Sequence, residues 1–350
     1  MPFRLLPIKN VLGALVFAVC ATALAGGHAP AGTKNSFDGA KALSYTHSFV
    51  TETGPRYNGS PGLAKAQAFL KSFFAHDQLQ EDTFTSSTPA GPQLMHNFIV
   101  RFPGERDGVI VLATHYETNY WLKDIPFVGA NDGGATTGLL MQIANDLRAH
   151  PPQGYSVWLV FFDGEESVGP QWTDSDSLYG SRHLAAKWQA DGTLAKIKAF
   201  LLADMIGDKN LNILRDTNST PALIDVVQQA ADAEGDSAYF FKQSNTISDD
   251  HNPFVKRGVP CVDIIDIDYG PNGSYHHTAE DTLDKLSARS LTISGSVIEE
   301  TIRFLNSAPG GDTAHLRKES KTDLAIALPS AQDDPIGVKG RAEHSQLGGN

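Results

Sequence analysis

The run Tyr155-Ser-Val-Trp-Leu-Val-Phe-Phe162, passing directly into Asp163-Gly164-Glu165-Glu166, decides how the rest of this chain is read. Eight residues so rich in apolar and aromatic side chains do not alternate between core and solvent. They predict a strand buried on both faces, as in a sheet covered by helices on either side. Two adjacent glutamates follow at its carboxyl end. Neighbouring carboxylates at the mouth of a buried strand repel each other and lose hydration, which is costly unless a cation or a shared proton offsets the charge. The stretch points to a metal or a catalytic carboxylate.

Working outward, similar runs recur. Val109-Ile-Val-Leu-Ala113 leads into Thr114-His115, and Ala199-Phe-Leu-Leu-Ala203 leads into Asp204. Residues 259–267 form another such run, and His96-Asn-Phe-Ile-Val-Arg-Phe102 reads as a further strand. Between them lie segments of helical periodicity at 64–74, 135–149, 181–189, 222–233 and 291–305; in the second, Leu139, Leu140, Ile143, Ala144 and Leu147 share one face. Buried strands separated by helices predict an α/β fold, a three-layer sandwich with a mixed, mostly parallel central sheet flanked by helices. In such sheets the functional crevice lies beyond the carboxyl ends of the strands.

The chain has 350 residues, 41% of them hydrophobic, and a formal net charge of −12. That charge argues against nucleic acid or an anionic membrane as a partner, since both require a basic footprint. Arg4 and Lys9 precede an uncharged stretch from Val11 to Ala25 that ends in Ala23-Leu-Ala25, the plan of a secretory leader cleaved near Ala25. The expectation is an exported protein, secreted or periplasmic, with no membrane attachment after cleavage. The apolar stretch is short for an uncleaved anchor, and Val19 is bulky for a lipoprotein site at Cys20. Loss of 1–25 leaves Cys261 as the lone cysteine, most simply a small buried hydrophobe. One catalytic domain is expected over 35–306. Residues 307–350 are polar and rich in Gly, Pro, Ser and charge, the composition of a disordered tail.

The candidate functional residues fall at the strand ends. His115, Glu165, Glu166 and Asp204 each follow a buried strand, Asp132 sits in Gly129-Ala-Asn-Asp132-Gly-Gly134 before a helix, and His277 lies in the loop after 259–267. Imidazole nitrogen with carboxylate oxygen suits zinc. Each residue also has an ordinary role: Asp132 as a helix cap, Asp204 in a turn, His115 in the core, Glu165-Glu166 in a solvated loop. Their concentration at one sheet edge favours a common site.

Three longer motifs carry a family resemblance. Phe161-Phe-Asp-Gly-Glu-Glu166, Asp176-Ser-Leu-Tyr-Gly-Ser-Arg-His-Leu-Ala-Ala-Lys187 and Asp249-Asp-His-Asn-Pro-Phe-Val-Lys-Arg-Gly-Val-Pro260 resemble the glutaminyl-peptide cyclotransferases (glutaminyl cyclases), within the zinc aminopeptidase superfamily. The resemblance spans about 35–305. It implies that Asp132, Glu166 and His277 bind zinc, His277 being preferred to His276 because His277-Thr-Ala-Glu-Asp281 follows the family's pattern. It implies further that Glu165 shuttles protons, that Asp204 and Asp249 hydrogen-bond in the site, and that Trp172 lines the substrate pocket. Two departures stand out: His276 where animal cyclases carry tryptophan, and Glu117 in place of the usual aspartate.

The resemblance implies conversion of amino-terminal glutamine of peptides or proteins to pyroglutamate, with one zinc ion. The alternative is a di-zinc aminopeptidase using His115, Asp132, Glu166, Asp204 and His277 as ligands. A non-catalytic zinc-containing binding domain is a third reading, against which Glu165 speaks, since a structural site has no use for a carboxylate standing unliganded beside the metal.

Overall fold

The computed structural model describes residues 37–307. The leader expected at 1–25, Cys20, and the tail beyond Ser307 lie outside the described residues. The strands are β1 (Gln78–Thr88), β2 (Gly91–Phe102), β3 (Arg106–His115), β4 (Tyr155–Phe162), β5 (Ile197–Asp204), β6 (Ile213–Asp216), β7 (Phe240–Asn245) and β8 (Cys261–Ile265). The α-helices are α1 (Gly39–Thr53), α2 (Pro61–Phe73), α3 (Thr136–Ala149), α4 (Tyr179–Ala190), α5 (Pro221–Glu234), α6 (Asn252–Val255) and α7 (Ala288–Ser307). The strands form one sheet in the order β1-β2-β4-β3-β5-β8-β6-β7. The central strands β4, β3, β5 and β8 run parallel, as do β6 and β7, whereas β1 with β2, β2 with β4, and β6 with β8 are antiparallel. This is the mixed, mostly parallel sheet that the apolar runs predict.

Alternate residues of the central strands enter different cores. Ile110, Leu112, Leu159, Phe161, Leu201 and Ala203 join the cluster built with α1, α2, α3, α5 and α7. Val111, Ala113, Val160, Phe162, Phe200 and Leu202 face the second cluster, which holds Leu184 and Trp188 of α4 and Phe254 of α6. Burial on both faces explains why these strands read as continuous apolar runs. Helix α1 packs closely on α3 because Gly138 has no side chain; a Cβ there would meet Thr46 Oγ1 at 2.2 Å.

The sequence reading misses α1, β1, β6, β7 and the single turn α6. Strand β1 pairs only with β2, at the sheet edge, and buries few of its residues. Strand β8 is shorter than the predicted 259–267 because Pro260 has no N–H to donate and the chain leaves the ladder after Ile265. Cys261 is buried in β8, its Sγ 3.3 Å from the Val259 carbonyl. Among the described residues no helix is long and apolar enough to cross a membrane.

Candidate active site

Parallel pairing of β3, β4, β5 and β8 brings their carboxyl ends to one edge, and the predicted residues meet there. His115 closes β3 and Asp204 closes β5. At the end of β4, Gly164 turns the chain with φ 68°, and a Cβ there would meet Met95 Sδ at 2.6 Å. The turn is pinned by the N–H of Leu178 to the Glu165 carbonyl (2.7 Å) and of Tyr179 to the Gly164 carbonyl (2.6 Å). Glu165 and Glu166 thereby enter the site, whereas the Asp163 side chain turns away and accepts from the His96 N–H (2.8 Å) and the Tyr116 hydroxyl (3.2 Å).

Asp132 does not cap a helix. Its backbone, at φ −77° and ψ 103°, is non-helical, and α3 begins at Thr136 without a side-chain cap. Its Oδ1 lies 3.0 Å from His115 Nε2 and its Oδ2 3.4 Å from His277 Nε2. His277 Nε2 is also 3.0 Å from Glu166 Oε1, and His115 Nε2 is 3.2 Å from Asp204 Oδ1. Two non-glycine residues at the site, Met205 and His277, take left-handed backbone with φ 53°. Such conformations cost of order 1–3 kcal/mol and persist where the surrounding structure imposes them.

Asp132, Glu165, Glu166, Asp204, Asp249, His277 and Trp172 line one cavity of about 330 Å³, with Met205, Ile247, Ile265 and Ile267 as apolar wall. His115 stands just behind, in contact with Asp132 and Asp204. Trp172 is partly exposed at the cavity. Its loop is tied down by Asp176, which accepts from the Val168 and Gly169 N–H groups (3.0 and 2.8 Å) and the Tyr179 hydroxyl (2.6 Å).

Several groups that frame the site carry little or no sequence signal. Arg56 is fully buried, and its guanidinium donates to the carbonyls of Tyr116, Val128, Gly129 and Asp132, at 2.7, 2.6, 2.9 and 3.3 Å, and of Gly54 at 3.2 Å. Asp281 accepts from the N–H groups of Asn131 (2.7 Å) and Asp132 (3.1 Å) and from the Tyr269 hydroxyl (3.1 Å). Asn119 donates to Glu166 Oε2 at 2.7 Å. Glu117, one residue type removed from the family's pattern, accepts from the Glu166 N–H at 3.0 Å. The periodicity of the chain hides these roles, although Asp281 stands in the quoted His277 motif.

Burial works to raise every carboxylate here. Against that effect, the contacts from His115 and His277 hold Asp132 well below the usual range. Glu165 is pushed well above its ordinary value by burial, opposed by His115 and reinforced by Glu166, Asp249 and Asp250. Asp249 is likewise pushed well up, by burial and then by Asp204 and Asp250. Burial opposes the charge on His277, yet Glu166 and Asp132 push its pKa up to about 11.

The donor types present suit a zinc ion. Asp132 Oδ2 is buried without a hydrogen-bond partner, and with Glu166 Oε1 it converges on one imidazole nitrogen, a combination suited to zinc. His277 meets both carboxylates. A proton on His277 and a bound cation are alternative ways to offset their charge, so metal binding would release protons. Ligand atoms of Asp132, His276 and His277 gather within 4.8 Å of one another, as do those of His115, Asp132 and Asp204.

Residues 97–302 match the model of peptidase family M28. The glutaminyl-peptide cyclotransferase of Boiga irregularis is 30% identical over 292 residues, which cover 72% of this chain and 78% of that protein. A crystal structure of glutaminyl cyclase from an Acidobacteriales bacterium is 59% identical, with a TM-score of 0.77, covering 79% of this chain and 97% of the other. The glutaminyl cyclase of Porphyromonas gingivalis is 28% identical with a TM-score of 0.68, covering 77% of this chain and 99% of the other. With its sheet order, its acidic cavity and these likenesses together, the chain belongs to peptidase family M28 and, within it, to the glutaminyl-peptide cyclotransferases.

Proposed function

We infer that this protein is a zinc-dependent glutaminyl-peptide cyclotransferase that converts the amino-terminal glutamine of peptides to pyroglutamate and releases ammonia. The observation that carries the mechanism is Glu165, which lines the cavity beside Glu166 with its Oε2 3.8 Å from His115 Nδ1, whereas Asp132 meets the Nε2 of His115 and of His277. Asp132, Glu166 and His277 would hold the zinc, and bound there it supplies a Lewis acid that polarises the γ-carbonyl of the glutamine.

The residues of the chain account for the proton movements. Glu165 accepts a proton from the substrate's α-amine as that nitrogen bonds to the γ-carbonyl carbon, and returns it to the departing amide nitrogen as the carbon–nitrogen bond breaks. Its raised proton affinity suits both halves of that task, because a buried carboxyl among other carboxylates holds a proton and a carboxylate readily accepts one. Asp204 and Asp249 receive the amine. The apolar wall of Met205, Ile247, Ile265 and Ile267 disfavours ordered water near the reacting carbonyl, which favours attack by the tethered amine over hydrolysis.

Arg4, Lys9 and the uncharged stretch from Val11 to Ala25 support export, with the leader removed near Ala25. The test of function incubates zinc-loaded protein with Gln-Phe-Ala and Leu-Phe-Ala and follows products by mass spectrometry. Loss of about 17 mass units from the first peptide, one ammonia, is expected. The donor set of His115, Asp132 and Asp204 would serve a second zinc and peptide hydrolysis; free leucine from the second peptide, with two zincs per chain, would establish that activity instead.

A further inference from the structure

A second polar cluster lies outside the cavity. Asp216 at the end of β6, His251 before α6 and Asp263 in β8 are fully buried, and none of them lines the cavity. His251 Nε2 is 3.0 Å from Asp216 Oδ2, and His251 Nδ1 is 3.8 Å from Asp263 Oδ2. The residue types are those of a metal site, and one ligand atom from each lies within 4.8 Å of the others, but the two carboxylates do not share one nitrogen of the ring. Each carboxylate is nearest to a different nitrogen of one ring. Asp216 is also already engaged: its Oδ1 accepts from the N–H groups of Ile247 (3.0 Å) and Asn218 (3.1 Å), and its Oδ2 from the Ser219 hydroxyl (2.8 Å).

Those contacts grip one segment. The Asn218 amide donates to the Ile247 carbonyl at 2.6 Å, so both backbone groups of Ile247 are held, and the Thr217 N–H donates to the Asn245 carbonyl at 2.9 Å. Four residues on, His251 is held against Asp216. Asp249 stands midway between these two grips, two residues from each, on the face where 246–249 line the cavity. Its carbonyl accepts from the Asn252 N–H at 2.8 Å, closing the turn.

Buried polar groups seldom add net stability over an apolar replacement, so stability is a weak reason for placing such a cluster behind an active-site loop. We propose that Asp216 and His251 are positioning residues for the reaction: bracing the 246–252 segment from behind, they set where the Asp249 carboxylate meets the substrate amine. This rests on the use of Asp249 in the proposed function.

The test is a double-mutant cycle on the zinc-loaded full chain with Asp216→Asn, Asp249→Asn and both together. Asp216→Asn should lower kcat about 10- to 100-fold, the scale of a misplacement of about 1 Å, with KM changed by less than about twofold and zinc content unchanged. In the Asp249→Asn background the same change should cost almost nothing. Additive losses, or a rise in KM with kcat intact, would overturn the proposal. If Asp216→Asn does not fold, His251→Gln provides the same comparison while leaving the clamps on Ile247 in place. The cycle is read on whichever peptide the wild type turns over, so leucine release would refute the cyclase reading while leaving positioning to be judged on its own. An activity-independent readout accompanies it: amide exchange should rise over 246–252 and not in α7, and a uniform rise would refute the proposal.

Discussion

Replacing Glu165 with glutamine should move activity and stability in opposite directions. The side chains are nearly isosteric, and the position is buried, with Oε2 3.8 Å from His115 Nδ1, so the change removes a proton site and little packing. A positioned proton-transfer group contributes about 10²–10⁴ in rate, so kcat should fall by that factor, equivalent to about 3–5 kcal/mol in barrier height. Stability follows from the raised proton affinity. Burial pushes Glu165 well above its usual value, with His115 opposing and Glu166, Asp249 and Asp250 adding to the rise. A carboxyl whose folded pKa exceeds its unfolded one contributes stability that is full below the unfolded pKa and is lost as pH rises through the folded one. Glutamine has no proton to lose. With the metal stripped by chelator, Glu165→Gln should therefore melt above the wild type near about pH 8 and close to it near about pH 4. Mass spectrometry of Gln-Phe-Ala turnover, zinc content and thermal melts supply the three measurements. A kcat within about tenfold of wild type at equal zinc content, or an activity loss accompanied by a lower melting temperature at both pH values, would show that Glu165 is not the proton shuttle.

Arg56→Met leaves five carbonyls without the guanidinium that binds them. Breaking a buried charged network costs about 3–5 kcal/mol, so the thermal midpoint should drop by roughly 6–20 °C; a drop below about 3 °C would contradict that role. Asp281→Asn disturbs the acceptor of the Asn131 and Asp132 N–H groups. It should weaken zinc by about 10- to 100-fold in competition with a chromogenic chelator, and unchanged affinity would confine Asp281 to stability. Asp163 is raised from 3.8 to about 8 by burial first and then by Glu117. Its contribution to stability is lost as pH rises across that window, so Asp163→Asn should flatten the fall in melting temperature there, and an unchanged slope would refute the shift.

The parts of the fold legible in the sequence are those where one physical demand acts on contiguous residues. Strands β3, β4, β5 and β8 are buried on both faces, so each is apolar along most of its length, Asp263 of β8 excepted, and the polar residues just beyond the runs mark the sheet edge where chemistry collects. Glu166 becomes visible for that reason, just beyond β4, whereas Asp132 and His277 lie in loops and are singled out through the resemblance, whose His277-Thr-Ala-Glu-Asp281 pattern separates His277 from His276. Strand β1 is subject to no such demand. It lies at the sheet edge with most of its residues at least partly exposed, and Gln78–Thr88 reads as a polar segment because water satisfies what the core would otherwise dictate.

Arg56 shows the limit from the other side. Its five acceptors include carbonyls 60 to 76 positions away, and a carbonyl is present at every residue, so no local pattern announces where several will converge. A lone arginine after Gly54-Pro55 looks like a solvated turn residue. The same holds for His251, which sits inside a quoted motif with no role until β6 and β8 bring Asp216 and Asp263 to opposite nitrogens of its ring. Residues at the ends of buried strands, such as His115, Glu165 and Asp204, are singled out by the chain alone. Residues that act by holding backbone in place are defined by what folds against them, and in this protein they surround nearly every group the chemistry uses.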